Sequence, residues 1–180
     1  MVYILLGQGF EETEAIAPCD ILRRGGVEVQ LAGIGGTSVT GGHGITVAAD
    51  LPVEEIQQEN LEMIVLPGGL GGVASIRGCA AALDAVKTAW QTDKFVAAIC
   101  AAPTVLAELG ITEGRMATCY PGMEDRMGTA RMTGRKAVRD GKLICGKAAG
   151  TAAEFGLELL RALKGDETAE QVRSSIHLDA

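Results

Sequence analysis

The chain has 180 residues, of which 47% are hydrophobic and 22% charged, a composition that fits one folded domain and excludes a disordered chain. Its net charge of −7 would repel a phosphate backbone, so no nucleic-acid partner is expected. We predict one cytoplasmic domain over residues 1–180 without a membrane contact, because the sequence has neither a signal-peptide pattern nor an apolar run approaching about 18 residues.

Short apolar runs and glycine-marked ends predict the elements of the first half of the chain. In chain order, the pattern predicts a buried strand at Val2–Leu6, a helix at Thr13–Arg24, a strand at Val27–Ala32, a hairpin of Ser38–Thr40 against Ile45–Ala48, and a buried strand at Met63–Leu66. The last of these strands ends at Pro67-Gly68-Gly69, which reads as a turn.

The second half continues the alternation of apolar strands and helices. The pattern predicts a helix at Cys79–Gln91, a strand at Phe95–Ile99, a helix at Pro103–Leu109, a strand at Met116–Thr118, a hairpin of Ala137–Arg139 against Leu143–Cys145, and helices at Thr151–Leu163 and Glu167–Val172. This alternation indicates α/β architecture with a mostly parallel sheet and a few antiparallel additions. Sites in such sheets form beyond the carboxyl ends of the strands, which selects Gly7–Glu14, Pro67–Gly72 and Ile99–Pro103.

Five cysteines are present, an odd number at irregular spacing and without a C-x-x-C motif. This pattern supports neither a disulfide framework nor a zinc site, so we expect free thiols and no metal or organic cofactor. A free cysteine is by default a small buried hydrophobic residue. The five are Cys19, Cys79, Cys100, Cys119 and Cys145.

Cys100 has the most distinctive surroundings of the five. It follows the apolar strand Phe95–Ile99 and precedes Ala101-Ala102-Pro103, a strand-turn-helix context like that of a nucleophile elbow, with alanines at the places of that motif's glycines. At a helix N-terminus a thiol pKa falls from about 8.5 to roughly 3.5–7.5. Spacing alone leaves two interpretations open, an activated nucleophile and an inert buried cysteine.

The other two strand ends supply polar groups that could serve the same site. Gly7–Glu14 resembles a phosphate loop only loosely, because its three carboxylates would repel a phosphate. The carboxylates suit a helix N-terminus, but a partly buried Glu14 would have a raised pKa and could share a proton with a thiolate. Gly68 and Gly69 could donate backbone N–H groups to an oxyanion together with Ala101, or simply form a turn.

Three motifs in this order resemble the ThiJ/PfpI family, in particular its Parkinsonism-associated protein deglycase branch with the YajL-like bacterial members. They are Glu-Glu-Thr-Glu-Ala at 11–15, Val-Leu-Pro-Gly-Gly at 65–69 and Ala-Ala-Ile-Cys-Ala-Ala-Pro at 97–103, and Ala-Gly-Thr at 149–151 is similar to a further family feature. The resemblance implies a flavodoxin-like, three-layer, class I glutamine amidotransferase-like sandwich that forms a homodimer. It also implies a nucleophilic Cys100, an acidic partner in Glu14 and backbone donors at Gly68 and Gly69.

One position departs from the family pattern. Several members have a histidine directly before the proline that corresponds to Pro121, and this chain has Tyr120 there. The two histidines are His43, in the predicted glycine-rich hairpin that could approach a dimer partner's site, and His177, near the C-terminus. A Cys-His pair of the thiol-protease kind is therefore not expected. We retain Tyr120, Cys119 and His43 as candidate pocket residues.

The resemblance implies an activity that needs no cofactor. Our leading hypothesis is a glyoxalase or deglycase that acts on α-oxoaldehydes such as methylglyoxal, or on their protein adducts, through a Cys100 hemithioacetal with Glu14 as general acid and base. The alternative is a redox-responsive stress protein or chaperone that signals through oxidation of Cys100. A cysteine protease ranks last because the histidine is missing. The expected partners are a small aldehyde or a glycated protein and a second copy of the chain.

Overall fold

Eleven strands and six α-helices make up the described part of the chain, residues 1–178 of a computed structural model. The strands are β1 (Val2–Leu6), β2 (Val29–Gly33), β3 (Ser38–Thr40), β4 (Thr46–Ala48), β5 (Leu51–Pro52), β6 (Met63–Leu66), β7 (Phe95–Ile99), β8 (Met116–Ala117), β9 (Arg131–Met132), β10 (Ala137–Asp140) and β11 (Leu143–Gly146). The α-helices are α1 (Glu12–Arg24), α2 (Leu70–Arg77), α3 (Ala80–Gln91), α4 (Pro103–Glu108), α5 (Ala152–Lys164) and α6 (Asp166–Ser175). Short 3₁₀ helices occur at Val53–Glu55, Gln58–Asn60, Glu124–Arg126 and Ala149–Thr151.

A seven-stranded sheet in the order β10-β11-β7-β6-β1-β2-β5 forms the middle layer. Its strand pairs are parallel except for β10 against β11 at one edge. Every residue of β1, β6 and β11 is buried, because a parallel sheet is covered by helices on both faces and its inner strands are apolar throughout. The predicted mostly parallel α/β sheet is confirmed.

Helices cover both faces of this sheet and complete three layers. Tyr3 and Leu5 point into a core that contains buried residues of α2, α3 and α4. Ile4 and Leu6 alternate with them and pack on the other face against buried residues of α1, α5 and α6. This is the flavodoxin-like three-layer sandwich that the resemblance implied.

The sequence pattern missed α2, β5 and β9. Helix α2 begins with Leu70-Gly71-Gly72, a glycine run that favours a turn when the sequence is read locally. The structure needs these glycines because a Cβ at Gly72 would lie 2.7 Å from Phe10 Cα, so the first loop and α2 could not approach each other. Strand β2 begins at Val29 and not at Val27, since the Val27 N–H closes the end of α1 by donating to Leu22 O.

Both predicted hairpins form, but only one of them belongs to the main sheet. Strands β3 and β4 pair with each other outside the main sheet, whereas β10 and β11 join its edge. Strand β8 pairs with β9 in a small parallel sheet of its own. Within residues 1–178, no helix has the length and apolar character to cross a bilayer.

Candidate active site

The carboxyl ends of β1, β6 and β7 lie side by side at one end of the sheet, because β6 lies between the other two strands. Glu14 lies in the first turn of α1, after β1, while Gly68 follows β6 and Cys100 follows β7. The three segments selected from the sequence therefore meet in space, as expected for the carboxyl ends of parallel strands.

Cys100 is held in a backbone conformation that side chains rarely adopt, with φ at +66°. Its N–H donates to Gly146 O at 3.0 Å, and its carbonyl accepts from the Tyr120 N–H at 2.7 Å. Such strain costs about 1–3 kcal/mol and persists only where the surrounding structure enforces it. The turn places the half-buried side chain beyond the carboxyl end of β7, which is the geometry of a nucleophile elbow.

The helix after the elbow begins at the predicted residue, Pro103, and ends one residue earlier than predicted, at Glu108. Helix α4 is six residues long and has Ala102 at its N-cap position without a side-chain cap, so Cys100 precedes its first residue, Pro103, by three positions. Pro103 occupies the first helical turn as predicted. A short helix at this distance gives the sulfur little electrostatic support, because dipole effects fall off within one turn.

Glu14 is completely buried, at 0% exposure. Its Oε2 accepts a hydrogen bond of 2.8 Å from the Gly68 N–H, and within the described residues its Oε1 has no hydrogen-bond partner. A Cβ at Gly68 would overlap Glu14 Oε2 and lie 3.2 Å from Cys100 Sγ. The carboxyl and the sulfur thus flank Gly68, where no side chain fits.

Burial raises the pKa of Glu14 to about 7, since a charged carboxylate is disfavoured away from water. The contact with Cys100 and the Gly68 N–H act in the opposite direction, and the charge of Glu11 adds to the rise. A carboxyl whose pKa is near neutral exchanges its proton readily at physiological pH, which is the property required of a general acid and base.

Burial also raises the pKa of the Cys100 thiol, to about 12, with the charge of Glu14 as the next contribution. This differs from the lowered pKa that the sequence suggested, because α4 is short and Glu14 is adjacent. The backbone N–H groups of Ala101 and Gly69 act in the opposite direction and favour the thiolate. Protonation of Glu14 removes its negative charge, while the two N–H groups still stabilise the sulfur. The thiolate is therefore favoured when Glu14 carries the proton.

Of the three backbone N–H groups predicted to stabilise an oxyanion, not all remain available. The Gly68 N–H is occupied by Glu14 Oε2, so it is not a free donor for an oxyanion. Gly69 and Ala101 direct their N–H groups toward Cys100 and both line the cavity in front of it. Of the three predicted donors, the geometry therefore leaves Gly69 and Ala101 for a developing negative charge.

A cavity of about 260 Å³ opens in front of the sulfur. Its lining residues are Glu11, Gly69, Leu70, Cys100, Ala101, Tyr120 and Met123. Tyr120 lies in the cavity wall, as the sequence suggested, but Cys119 and His43 do not. Cys119 is buried, with Sγ directed to the Tyr120 carbonyl, and burial raises the pKa of its thiol to about 11. The cavity is smaller than the roughly 300–1,000 Å³ of sites for drug-sized ligands, so it suits a small molecule.

His43 pairs with Glu12 and not with the cysteine. Its Nδ1 lies 2.8 Å from Glu12 Oε2, and the His43 N–H donates to Glu12 Oε1 at 2.7 Å. Burial alone would raise the pKa of Glu12, but these bonds outweigh burial and lower it to about 2. Glu12 thus anchors the β3–β4 hairpin to α1, while Glu11 Oε2 caps α1 by accepting from the Glu14 N–H.

Glu11, Glu12 and His43 bring three ligand atoms within 4.8 Å of one another, the arrangement among the described residues that most resembles a metal site. Hydrogen bonds to the hairpin and the cap of α1 account for all three side chains. We assign no metal to them.

The pairing of Cys100 with Glu14 predicts the pH dependence of thiol reactivity. Loss of the first proton from the coupled pair near pH 7 gives a monoanion whose charge lies partly on sulfur, so alkylation of Cys100 by iodoacetamide will rise through a midpoint near 7 and rise again as the second proton leaves near pH 12. Peptide mapping after limited labelling will show Cys100 modified first, with N-acetylcysteine as the reference thiol. A midpoint at or above that of the reference, or earlier labelling of Cys119, would contradict the assignment.

Glu14 also predicts a pH dependence of stability. The folded protein retains this proton up to about pH 7, whereas the unfolded chain releases it near 4.5. The stabilisation is therefore complete below pH 4.5 and is lost as pH rises through 7, by at most about 3 kcal/mol. Glu14→Gln lacks the titrating group, so the unfolding free energy of wild type minus that of the variant will fall between about pH 5 and about pH 8. Urea unfolding measures both proteins, and parallel pH profiles would refute the buried proton.

Known proteins are similar to this chain in sequence and in fold over nearly its whole length. Protein dj-1beta of Drosophila melanogaster is 34% identical over 176 residues, which cover 96% of this chain and 94% of the fly protein. A Caenorhabditis elegans protein, Glutathione-independent glyoxalase DJR-1.2, is 32% identical over 159 residues, which cover 87% of this chain and 84% of the worm protein.

Solved structures agree with these relatives. The crystal structure of Drosophila melanogaster DJ-1beta superposes with a TM-score of 0.94 at 32% identity, covering 99% of this chain and 98% of that chain. The structure described as Toxoplasma gondii DJ-1, oxidized, gives a TM-score of 0.95 at 29% identity, with coverages of 99% and 98%. The sequence profile of the DJ-1/PfpI family matches residues 1–162, a range that contains both sides of the Cys100–Glu14 pair and the whole cavity, and the chain therefore belongs to the DJ-1/PfpI family.

Proposed function

We propose that this protein is a cofactor-independent glyoxalase or deglycase that acts on α-oxoaldehydes such as methylglyoxal, or on their protein adducts. The observation that carries the proposal is the placement of a half-buried thiol and a fully buried carboxyl on the two sides of Gly68. The carboxyl titrates near pH 7 and the cavity holds only a small molecule. A relative named as a glutathione-independent glyoxalase supports the same chemistry.

The first step forms a bond between Cys100 Sγ and the aldehyde carbon of methylglyoxal. The electron pair of the carbonyl moves to its oxygen, which the Gly69 and Ala101 N–H groups stabilise. Protonated Glu14 gives its proton to this oxygen and becomes a carboxylate. The product is a hemithioacetal with the neighbouring ketone still intact.

The second step moves a hydrogen between two carbons. The Glu14 carboxylate removes the proton from the former aldehyde carbon and returns it to the former ketone carbon, while the hydroxyl proton of the hemithioacetal passes to the former ketone oxygen as the thioester carbonyl forms. One carbon is oxidised to a thioester while its neighbour is reduced to an alcohol, so no external electron acceptor is needed. Water then adds to the thioester with Glu14 as base, and lactate and the Cys100 thiolate separate.

Turnover by point variants tests this assignment. Cys100→Ser will abolish lactate formation from methylglyoxal in the absence of glutathione, because the attacking sulfur is gone. Glu14→Gln will lose roughly 10²- to 10⁴-fold in turnover but keep an alkylatable Cys100, since an amide donates a hydrogen bond but transfers no proton. Cys79→Ser, at a half-buried cysteine outside the cavity, is the matched control.

Two results would count against the mechanism. Turnover by Cys100→Ser equal to wild type would remove the covalent step. Unchanged turnover in Glu14→Gln would remove Glu14 as the general acid and base. Glu14→Asp, whose side chain is shorter, should retain part of the turnover because it keeps the proton but loses reach.

A redox role for the same sulfur is the second candidate. Cys100 is half-buried beside an open cavity, and the Gly69 and Ala101 N–H groups would also stabilise the oxygens of a sulfinate. One structural relative is described as oxidized. Glu14→Gln separates the candidates, since loss of turnover is required only by the enzyme. A thiol protease is not proposed, because neither His43 nor His177 lines the cavity.

We also propose that the protein works in the cytoplasm, where its five free thiols would stay reduced. A homodimer is proposed because two aliphatic side chains are exposed on two elements that are bonded to each other. Ile16 on α1 is 40% exposed and Ile45 in the β3–β4 hairpin is 58% exposed, and Glu12 joins the two elements.

Sedimentation at micromolar concentration will give twice the 18.6 kDa of one chain. Ile16→Lys should shift the protein toward the monomer, because a charge would replace exposed apolar surface at the contact. Ala74→Lys, at an exposed position on α2, is the control. A wild-type protein that sediments only as 18.6 kDa would contradict the dimer.

A further inference from the structure

The outer wall of the cavity is apolar and exposed. Leu70 and Tyr120 are 72% and 47% exposed, and Met123 is half-buried beside them. Large apolar side chains are usually covered, so two of them at the mouth of a cavity that contains a nucleophile mark a surface for an apolar group. We call Leu70, Tyr120 and Met123 the apolar rim.

The rim is positioned by the same backbone that positions the nucleophile. The Tyr120 N–H donates to Cys100 O, and Leu70 begins α2 directly after Gly69, one of the two donors to the sulfur. A group bound against the rim therefore lies at a set distance from Cys100. This geometry allows the rim to orient a substrate as well as attract it.

The inner wall of the cavity carries negative charge. Glu11 lines it, and its Oε2 is held in place by the Glu14 N–H at 2.7 Å. Within residues 1–178 no lysine, arginine or histidine lines the cavity. The two arginines of the adjoining segments, Arg77 and Arg126, both pair with Glu108. Among the described residues of one chain, an anion that approaches Cys100 thus meets the Glu11 carboxylate without a compensating cation in the cavity wall.

We propose that the site selects neutral α-oxoaldehydes with an apolar substituent and rejects anionic ones. This inference rests on the proposed function and names its substrate class. The methyl group of methylglyoxal would cover little of the rim, whereas a phenyl or branched alkyl group would cover Leu70 and Tyr120. The gain from burying several such carbons amounts to roughly tenfold in kcat/KM.

Two pairs of alkylating reagents test the charged inner wall and the apolar rim separately. Neither test requires turnover. In each probe a bond forms between Sγ and the CH₂ carbon while the C–I bond breaks and iodide leaves. Iodoacetate differs from iodoacetamide chiefly in charge, and N-benzyliodoacetamide differs in an apolar group. A ratio of two rates at one pH cancels the thiolate fraction, and the same ratio for N-acetylcysteine corrects for intrinsic reactivity.

For wild type we expect Cys100 to disfavour iodoacetate and to favour the benzyl probe, each by roughly tenfold after correction. Glu11→Gln should raise the relative rate of iodoacetate several-fold. Glu11→Asp retains the charge and a good helix cap, so it should keep the wild-type ratio. Leu70→Ser and Tyr120→Ser should reduce the preference for the benzyl probe and leave the iodoacetate ratio unchanged.

The aldehydes themselves provide the second measurement. Phenylglyoxal should exceed methylglyoxal in kcat/KM, and 4-carboxyphenylglyoxal, which adds an anionic group to the same α-oxoaldehyde, should fall well below phenylglyoxal. Corrected probe ratios near one in wild type, or ratios that the variants do not move, would overturn the selectivity whatever the turnover. Probe ratios as expected without any lactate formation would support the selectivity and refute the proposed function, so the two failures are distinguishable.

Discussion

The buried carboxyl of Glu14 is the constraint on which the rest of the site depends. A charge is costly at a position with no exposure to water, so the proton leaves this carboxyl only near pH 7. One of its oxygens accepts from the Gly68 N–H, and the other has no partner among the described residues. The pair of Glu14 and Cys100 can give up a proton because Gly69 and Ala101 offer donors to the sulfur.

That arrangement depends on close approach of backbone to side chains. Gly68 separates the carboxyl from the sulfur and has no room for a Cβ, and the elbow at Cys100 needs a positive φ. The elbow is supported from within the core, since Gly146 O accepts from the Cys100 N–H. Gly146 in turn packs so tightly that a Cβ there would lie 2.8 Å from both Ile99 and Phe155. The strain at Cys100 is therefore balanced by the packing of α5 on the sheet.

Local sequence patterns were sufficient to predict most strands and helices. They were insufficient where two segments distant in sequence pack closely together. The buried strands β1, β6 and β7 were predicted with their observed ends because five or four apolar residues bounded by glycine or alanine turns suit a parallel sheet. Helix α2 was missed because its glycines disfavour a helix locally, although contact with Phe10 requires them. Gly68 was expected to donate to an oxyanion, but its N–H faces Glu14, a residue 54 positions away.

The sequence by itself determined the alternation of strands and helices and the family, and it predicted a site at the carboxyl ends of the strands with Cys100 and Glu14 as its two main groups. These features follow from periodicity and from short motifs, which are local properties of the chain. Only the tertiary structure decided the burial that raises both pKa values of the pair, the pairing of His43 with Glu12, and the apolar rim of Leu70, Tyr120 and Met123. Each of these depends on burial and on distances between segments far apart in sequence, and a pKa is set by solvent access and neighbouring charge that no linear pattern specifies.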